Sequence, residues 1–321
     1  MQIALLFPGQ GAQHERMAVG LYGTEPTFTS VLDAVFDRFG SEGARIRADW
    51  LAAHPRVDLD DVRRAQPLLF AIEYALGRML LAGGVRPAAV LGHSVGEVVG
   101  ATLAGIFDLD QAIDLMRDRI TRIAGAGPGG MVAVAASAEQ LAPYLRGDVV
   151  VGAINAPRQT VLAGPEPELS TVEAAVAADG FIARRTRALT GFHSPALLPT
   201  CRPSWRAPAR LSAPRLTVYS CYTGDVLTDA QAVDDEYWAI QPAAPVRFWP
   251  AADRLLNDGP YLVVEVGPGQ GLTSLLRRHK SVVVGTNVLQ PLLPDRPGTP
   301  ADDRQAVARL WDCLSRADSF A

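Results

Sequence analysis

The stretch Ala88-Ala89-Val90-Leu91-Gly92-His93-Ser94-Val95-Gly96 decides how this chain is read, because an apolar run ends in a serine set between two glycines. Ala88 to Leu91 reads as a buried strand, and Glu97-Val98-Val99-Gly100-Ala101-Thr102-Leu103-Ala104 as a buried helix of mostly small residues. A strand that hands a serine to a helix through so tight a turn needs glycine beside it. The turn exposes the Ser94 hydroxyl at a helix N-terminus and sets the Val95 N–H where an oxyanion would form. The chemistry implied is acyl transfer through a serine ester. An idle serine in a glycine-rich turn fits the same local pattern. What separates the two is whether the chain also supplies a base, a second oxyanion donor and a substrate anchor.

Outward from this turn, apolar runs alternate with helical patterns, as an α/β sheet requires. Strands are expected at Ile3 to Phe7, Ala88 to Leu91, Leu216 to Ser220 and Tyr261 to Val266. Helices are expected at Pro67 to Leu81, Glu97 to Gly105, Leu109 to Ile123, Leu272 to Arg278 and Asp302 to Arg316, the last after a Pro-rich surface loop from Pro291 to Pro300. Between them the rhythm changes. A Gly-Ala-Gly-Pro-Gly-Gly linker from Gly125 to Gly130 leads to a strand at Met131 to Ala135 and a helix at Ala138 to Leu145. A hairpin, Val149 to Asn155 with Gln159 to Leu162, is followed by a helix at Glu166 to Ala178 and a strand at Phe181 to Arg185. This β-α-β-β-α-β order is ferredoxin-like. The expected organisation is a large α/β domain over 1–126 and 191–321, the second part including the C-terminal helix, with a small domain inserted at 127–190.

With 321 residues, 48% of them hydrophobic, the chain can bury a substantial core. A net charge of −4 gives no general attraction to nucleic acid or anionic lipid, and no apolar run reaches the ~18 residues of a membrane span. Neither nucleic acid nor membrane is an expected partner. The N-terminus lacks a basic segment before its short apolar run, which reads as a strand rather than a signal peptide, so a cytoplasmic protein is expected. Cys201, Cys221 and Cys313 suit neither a disulfide framework nor a zinc site and read as reduced thiols. No metal is expected.

Five histidines could serve as the base. His54 lies in a polar stretch and His279 at a helix end beside Arg277 and Arg278, which suits structural or solvated roles. His93 neighbours Ser94, and adjacent strand side chains diverge, so it is a poor base for that serine. His193 is the stronger candidate, since it follows Thr190-Gly191-Phe192 where the inserted domain rejoins the large one. A packing histidine beside Phe192 is the alternative.

Taken in order, Phe7-Pro8-Gly9-Gln10-Gly11-Ala12-Gln13, Gln66-Pro67, Gly92 to Glu97, Arg119, Asn155-Ala156-Pro157, Phe192-His193-Ser194 and Glu265-Val266-Gly267-Pro268-Gly269 resemble malonyl-CoA:acyl-carrier-protein transacylases. The acyltransferase domains of polyketide and fatty acid synthases share this order, and the resemblance runs from about Ile3 to about Val288. It implies an α/β-hydrolase-like large domain carrying a ferredoxin-like small one. It also implies Ser94 as nucleophile, His193 as base, and the backbone N–H groups of Gln10 and Val95 as oxyanion hole. The backbone carbonyl of Gln241 would orient the histidine in place of an aspartate. Gln66, His93 and Asn155 match polar pocket positions. Arg119, 25 residues after Ser94, matches the arginine that pairs with the free carboxylate of a malonyl group. A solvated helix arginine is its alternative.

Val95 and Phe192 resemble malonyl-selective members, where the phenylalanine leaves little room for an α-methyl branch. Two departures stand beside them: Thr190-Gly191 replaces the usual His-Ala, and Thr121-Arg122 replaces the usual Met-Gln. Loss of a histidine and a methyl at Thr190-Gly191 is expected to widen the pocket mouth and admit a less usual acyl group. The expected substrates are an acyl-CoA, foremost malonyl-CoA, and the phosphopantetheine thiol of an acidic acyl carrier protein, with no bound cofactor. Arg184, Arg185, Arg187, Arg277 and Arg278 are candidates for docking that carrier. The chain opens at the first motif and closes soon after the last, without a ketosynthase or carrier segment, so a discrete enzyme acting in trans is expected. A transacylase moving an unusual acyl group between carriers and a serine hydrolase or editing thioesterase are the alternatives. A non-catalytic carrier-binding module is the weakest, because Ser94 and His193 are both present.

Overall fold

The computed structural model describes residues 1–201 and 205–318. Its larger sheet has six strands in the order β10-β9-β1-β2-β7-β8. These are β1 (Gln2–Phe7), β2 (Pro87–Gly92), β7 (Thr217–Ser220), β8 (Asp225–Val226), β9 (Tyr261–Glu265) and β10 (Val288–Pro291). All pairings are parallel except the edge pair β7 and β8. Helices cover both faces, which is why β1 and β9 are near-continuous apolar runs rather than alternating ones. Side chains of opposite parity in β1 enter opposite cores: Leu5 and Phe7 join one, Ala4 and Leu6 the other. Full burial of Phe7 contributes roughly 2–3 kcal/mol relative to exposure.

The second sheet is antiparallel, ordered β4-β5-β3-β6, from β3 (Gly129–Val134), β4 (Val150–Ala156), β5 (Gln159–Pro165) and β6 (Ala183–Arg185). A helix at Glu168–Ala178 and a short one at Ala138–Leu141 cover one face, and Leu141, Leu162, Leu169 and Val172 form its own core. Fold and strand order agree with the ferredoxin-like expectation.

Helix α4 (Gly96–Leu103) follows the serine turn and packs on α3 (Val62–Ala82) and α5 (Leu109–Ile123), while α1 (Pro26–Arg38) packs on α3 and α2 (Gly40–Leu51) on α1. The bounds of α5 match the expectation; Asp108 caps it, with Gln111 closing the box. In contrast, α3 starts five residues before the expected Pro67, because Asp61 accepts the Arg63 N–H and begins the helix upstream. The expected surface loop after β10 begins with Leu292 and Leu293, both buried in the main core, and becomes exposed only from Asp295. Among the described residues, no helix is long and apolar enough to cross a membrane.

Register brings the key loops together. Phe7 lies opposite Gly92, so β1 and β2 end side by side and their following turns touch. The His93 N–H donates to the Phe7 carbonyl at 2.8 Å, which ties the Pro8-Gly9-Gln10 loop to the serine turn. The segment from Gln241 to Val246 splints the two sheets. Val246 exchanges backbone hydrogen bonds of 2.8 Å with Gly152 and Ile154 on β4, and the Pro242 carbonyl accepts the His193 N–H at 2.8 Å.

Candidate active site

Ser94 has φ +55°, a left-handed conformation that costs a residue with a Cβ roughly 1–2 kcal/mol. The surrounding glycines show why the turn persists. A Cβ on Gly96 would lie 2.2 Å from the Phe7 carbonyl oxygen, and one on Gly92 would lie 2.2 Å from the Glu97 nitrogen. These positions admit only glycine, and together they force Ser94 to the apex. His193 is also left-handed, at φ +62°, and is held there through the Pro242 carbonyl.

Ser94 Oγ lies 2.8 Å from His193 Nε2, and His193 Nδ1 lies 2.7 Å from the Ala244 carbonyl. A carbonyl only accepts, so Nδ1 carries the proton and Nε2 is free to receive one from the serine. Burial holds His193 far below its ordinary value of 6.5, down to about 3; Ala244 opposes this, and the charge on Arg119 adds to it. The imidazole is therefore neutral across the working range. The expected orienting carbonyl, that of Gln241, is corrected to that of Ala244. Gln241 sits in a 3-10 turn, where its own carbonyl accepts the Ala244 N–H and contributes less to the histidine. Chain reversal after Pro242 turns the later carbonyl toward the ring.

The Gln10 and Val95 amide N–H groups meet no acceptor among the described residues; Val95 follows Ser94 directly, and Gln10 follows Gly9, which packs against His93 and Ser94. The Gln10 side chain is held at both ends: Nε2 donates to the Asp60 carbonyl at 3.2 Å, and Oε1 accepts from Gln66 Nε2 at 3.1 Å. Asp60 also accepts from Gln13 at 2.7 Å and pairs with Arg187 at 3.3 Å.

Arg119 is not a solvated helix arginine. It is 4% exposed; Nε donates to Gln66 Oε1 at 2.9 Å and Nη1 to Gln241 Oε1 at 2.6 Å, while Nη2 is buried and meets no partner among the described residues. Burial lowers it to about 10, which leaves it charged at neutral pH. A buried, cationic and unpaired N–H group invites an anionic ligand. Gln241 Nε2 donates in turn to the Ser94 carbonyl at 3.0 Å and to Glu97 Oε2 at 2.8 Å. Glu97, fully enclosed, also accepts from Ser220 Oγ at 2.8 Å and the Tyr222 N–H at 3.3 Å.

Ser94 and His193 open on a cleft of 540 Å³ also lined by Gln10, Gln66, His93, Asn155 and Phe192, and Arg119 lies behind it, bonded to the lining residue Gln66. His93 Nε2 donates to Asn155 Oδ1 at 2.9 Å, and burial holds its pKa down, so its ring is neutral and committed to Asn155. Thr190 does not face this cleft. With Phe192 it borders a neighbouring groove of 790 Å³ that also includes Val62, Ile123 and Ala126. Gly191 corrects the expected wider mouth: a Cβ there would lie 2.6 Å from the Gly164 carbonyl oxygen, so the missing methyl permits close packing on β5.

The arginines separate. Arg184 is exposed at the cleft edge, and Arg187, 88% exposed, reaches Asp60 across it. Arg185 also lines the cleft but is paired with Glu166 at 2.6 Å and Glu173 at 2.9 Å. Arg277 and Arg278 are exposed but line neither cleft nor groove. His279 is buried between Asp253 and Ser281, and His54 is exposed. Among the described residues, no group of three or more His, Cys, Asp or Glu side chains converges as metal ligands.

Sequence reasoning missed Ala244, which enters through its backbone, and Glu97. A carboxylate in the first turn of an otherwise apolar helix was the available signal for Glu97.

A family model described as acyl transferase domain matches residues 4–292. A phenolphthiocerol/phthiocerol polyketide synthase polypeptide of Mycobacterium tuberculosis is 36% identical over 99% of this chain, which spans 22% of that relative's length. Among solved structures, the acyl transferase domain of SpnD in complex with 2-(pent-4-yn-1-yl)malonyl is 32% identical with a TM-score of 0.86, covering 97% of this chain and 76% of that one. Malonyl CoA-acyl carrier protein transacylase from Burkholderia pseudomallei is 28% identical with a TM-score of 0.75, covering 87% and 99%.

Proposed function

Because this chain belongs to the acyl transferase domain family and is an acyltransferase, we propose that it moves a malonyl-type group from coenzyme A to the phosphopantetheine thiol of an acyl carrier protein. The observation that supports the substrate class is buried, cationic Arg119, whose Nη2 meets no partner among the described residues and which is linked through Gln241 to the Ser94 turn. A free carboxylate supplies the missing acceptor; an uncharged acyl group leaves that N–H unpaired.

In the first half-reaction His193 Nε2 takes the proton of Ser94 Oγ as the oxygen attacks the thioester carbonyl carbon. The oxyanion forms between the Gln10 and Val95 N–H groups. Collapse expels the coenzyme A sulfur, which leaves with the proton from His193, and Ser94 holds the acyl group as an ester. In the second half the carrier thiol gives its proton to His193 and attacks that ester. Ser94 Oγ leaves and recovers the proton. Both reactants are substrates, and no resident cofactor enters either step. The proposed setting for this reaction is the cytoplasm, a reading that use of a coenzyme A donor supports. Arg184 and Arg187, at the cleft edge, are the arginines best placed to meet an acidic carrier.

The Gly191 contact with Gly164 accounts for the missing methyl at that position, and Thr190 borders the neighbouring groove rather than the cleft, which supports malonyl as the preferred donor. The test is a time course with malonyl-CoA and a holo carrier protein, measuring malonyl-carrier and free malonate together. Carrier product well above free acid supports transfer. Malonate release that the carrier does not suppress would replace the transferase with a hydrolase.

A further inference from the structure

We propose that the Gln241 side chain, oriented by Glu97, is a positioning residue that sets the distance between the carboxylate anchor and the reacting serine. The inference rests on Arg119 as that anchor. Gln241 has one acceptor and two donor hydrogens, and all three are committed. Oε1 accepts from Arg119, and Nε2 donates to the Ser94 carbonyl and to Glu97. The amide therefore has one orientation. Reversing it would set the NH2 against a guanidinium and the oxygen against a carboxylate. Glu97 makes that reversal unfavourable, and the carboxylate is itself held by Ser220 and Tyr222, which both donate to its Oε1. One side chain thus spans from Arg119 on α5 to the backbone of the strained serine turn.

The geometry serves carboxylated donors in particular. A donor held through its carboxylate at Arg119 presents its thioester carbonyl to Ser94 only if anchor and nucleophile keep a fixed separation, and misplacement by about 1 Å costs on the order of a hundredfold in rate. Donors without a carboxylate do not use that reference point. Loss of the Gln241 amide should therefore lower kcat for malonyl more than it raises KM, and should lower malonyl more than acetyl.

The test compares wild type, Gln241→Met, Glu97→Gln and Arg119→Ala for Ser94 acylation by malonyl-CoA and acetyl-CoA, with melting temperature recorded for each. The expected result is that Gln241→Met reduces the malonyl-to-acetyl rate ratio by about tenfold or more, mainly through kcat. Glu97→Gln, which keeps shape but lets the amide reverse, should shift the ratio in the same direction by less. If Gln241→Met does not fold, Glu97→Gln carries the same readout. An unchanged ratio in these variants, with both donors slowed alike and the melting temperature lowered, would overturn the positioning role while Arg119→Ala still discriminated. Should Arg119→Ala itself slow both donors equally, the anchor fails and this inference falls with it.

Discussion

Acidification gives a direct test of the Ser94 and His193 geometry. An imidazole with the ordinary value of 6.5 would be only about 3% neutral at pH 5, so a rate that needs the neutral base would fall about 30-fold between pH 8 and pH 5. His193 is enclosed and held at about 3, so nearly all of it is still neutral at pH 5. The rate constant for Ser94 acylation, measured by rapid quench at subsaturating malonyl-CoA, should change less than about threefold over that range. A fall near 30-fold would refute the buried, neutral base. Linkage gives a second readout. The unfolded chain takes up the proton below pH 6.5 while the folded one refuses it until about pH 3, so His193 stabilises fully above pH 6.5 and loses that contribution as pH falls. The loss is about 2 kcal/mol by pH 5. Glu73, Glu97 and Glu265, whose pKa values burial raises, act in the opposite direction. Denaturant titrations at pH 7 and pH 5 should therefore compare wild type with His193→Gln, where a pH effect of the same size in both would contradict the assignment.

Arg119→Ala should reduce kcat/KM for malonyl-CoA by about 10²–10³, the cost of losing charge-assisted hydrogen bonds to a buried carboxylate, and acetyl-CoA much less. Equal losses in steady-state transfer would exclude the anchor. Gly191→Ala should destabilise by about 1–3 kcal/mol through its contact with Gly164, without narrowing donor choice. A variant of wild-type melting temperature that had become more malonyl-selective would show the methyl entering the pocket instead. Gly96→Ala sets a Cβ against the Phe7 carbonyl, and should abolish labelling of Ser94 by a serine-reactive fluorophosphonate even where circular dichroism is retained. Normal labelling would mean the turn tolerates a side chain.

The parts of this fold that were legible in the sequence are those where backbone chemistry restricts residue choice. Gly92 and Gly96 report steric contacts that only glycine survives, and β1 and β9 are apolar on both faces because both faces are covered. Helices α1 and α2 were not anticipated, although Phe28, Leu32, Val35 and Phe36 mark the buried face of α1 at helical spacing. Arg119 could not be told from Arg117 or Arg122 by composition; the register of α5 buries it and leaves Arg117 reaching the Arg38 carbonyl and Arg122 paired with Asp118. Main-chain functions are the least legible, because a carbonyl has no letter. The resemblance pointed to Gln241, and the chain turns so that Ala244 meets His193 while the Gln241 side chain meets Arg119. At Thr190-Gly191 the letters suggested space, whereas the small residue lies where two backbones touch.

The central claim is that Ser94 carries a carboxylated acyl group between two thiols. It is tested most directly by intact-protein mass spectrometry after incubation with malonyl-CoA, followed by addition of a holo carrier protein. A malonyl adduct is expected that maps to Ser94, is absent in Ser94→Ala, and disappears as the same mass is gained by the carrier. An adduct that persists in Ser94→Ala, or one that never reaches the carrier thiol, would contradict it.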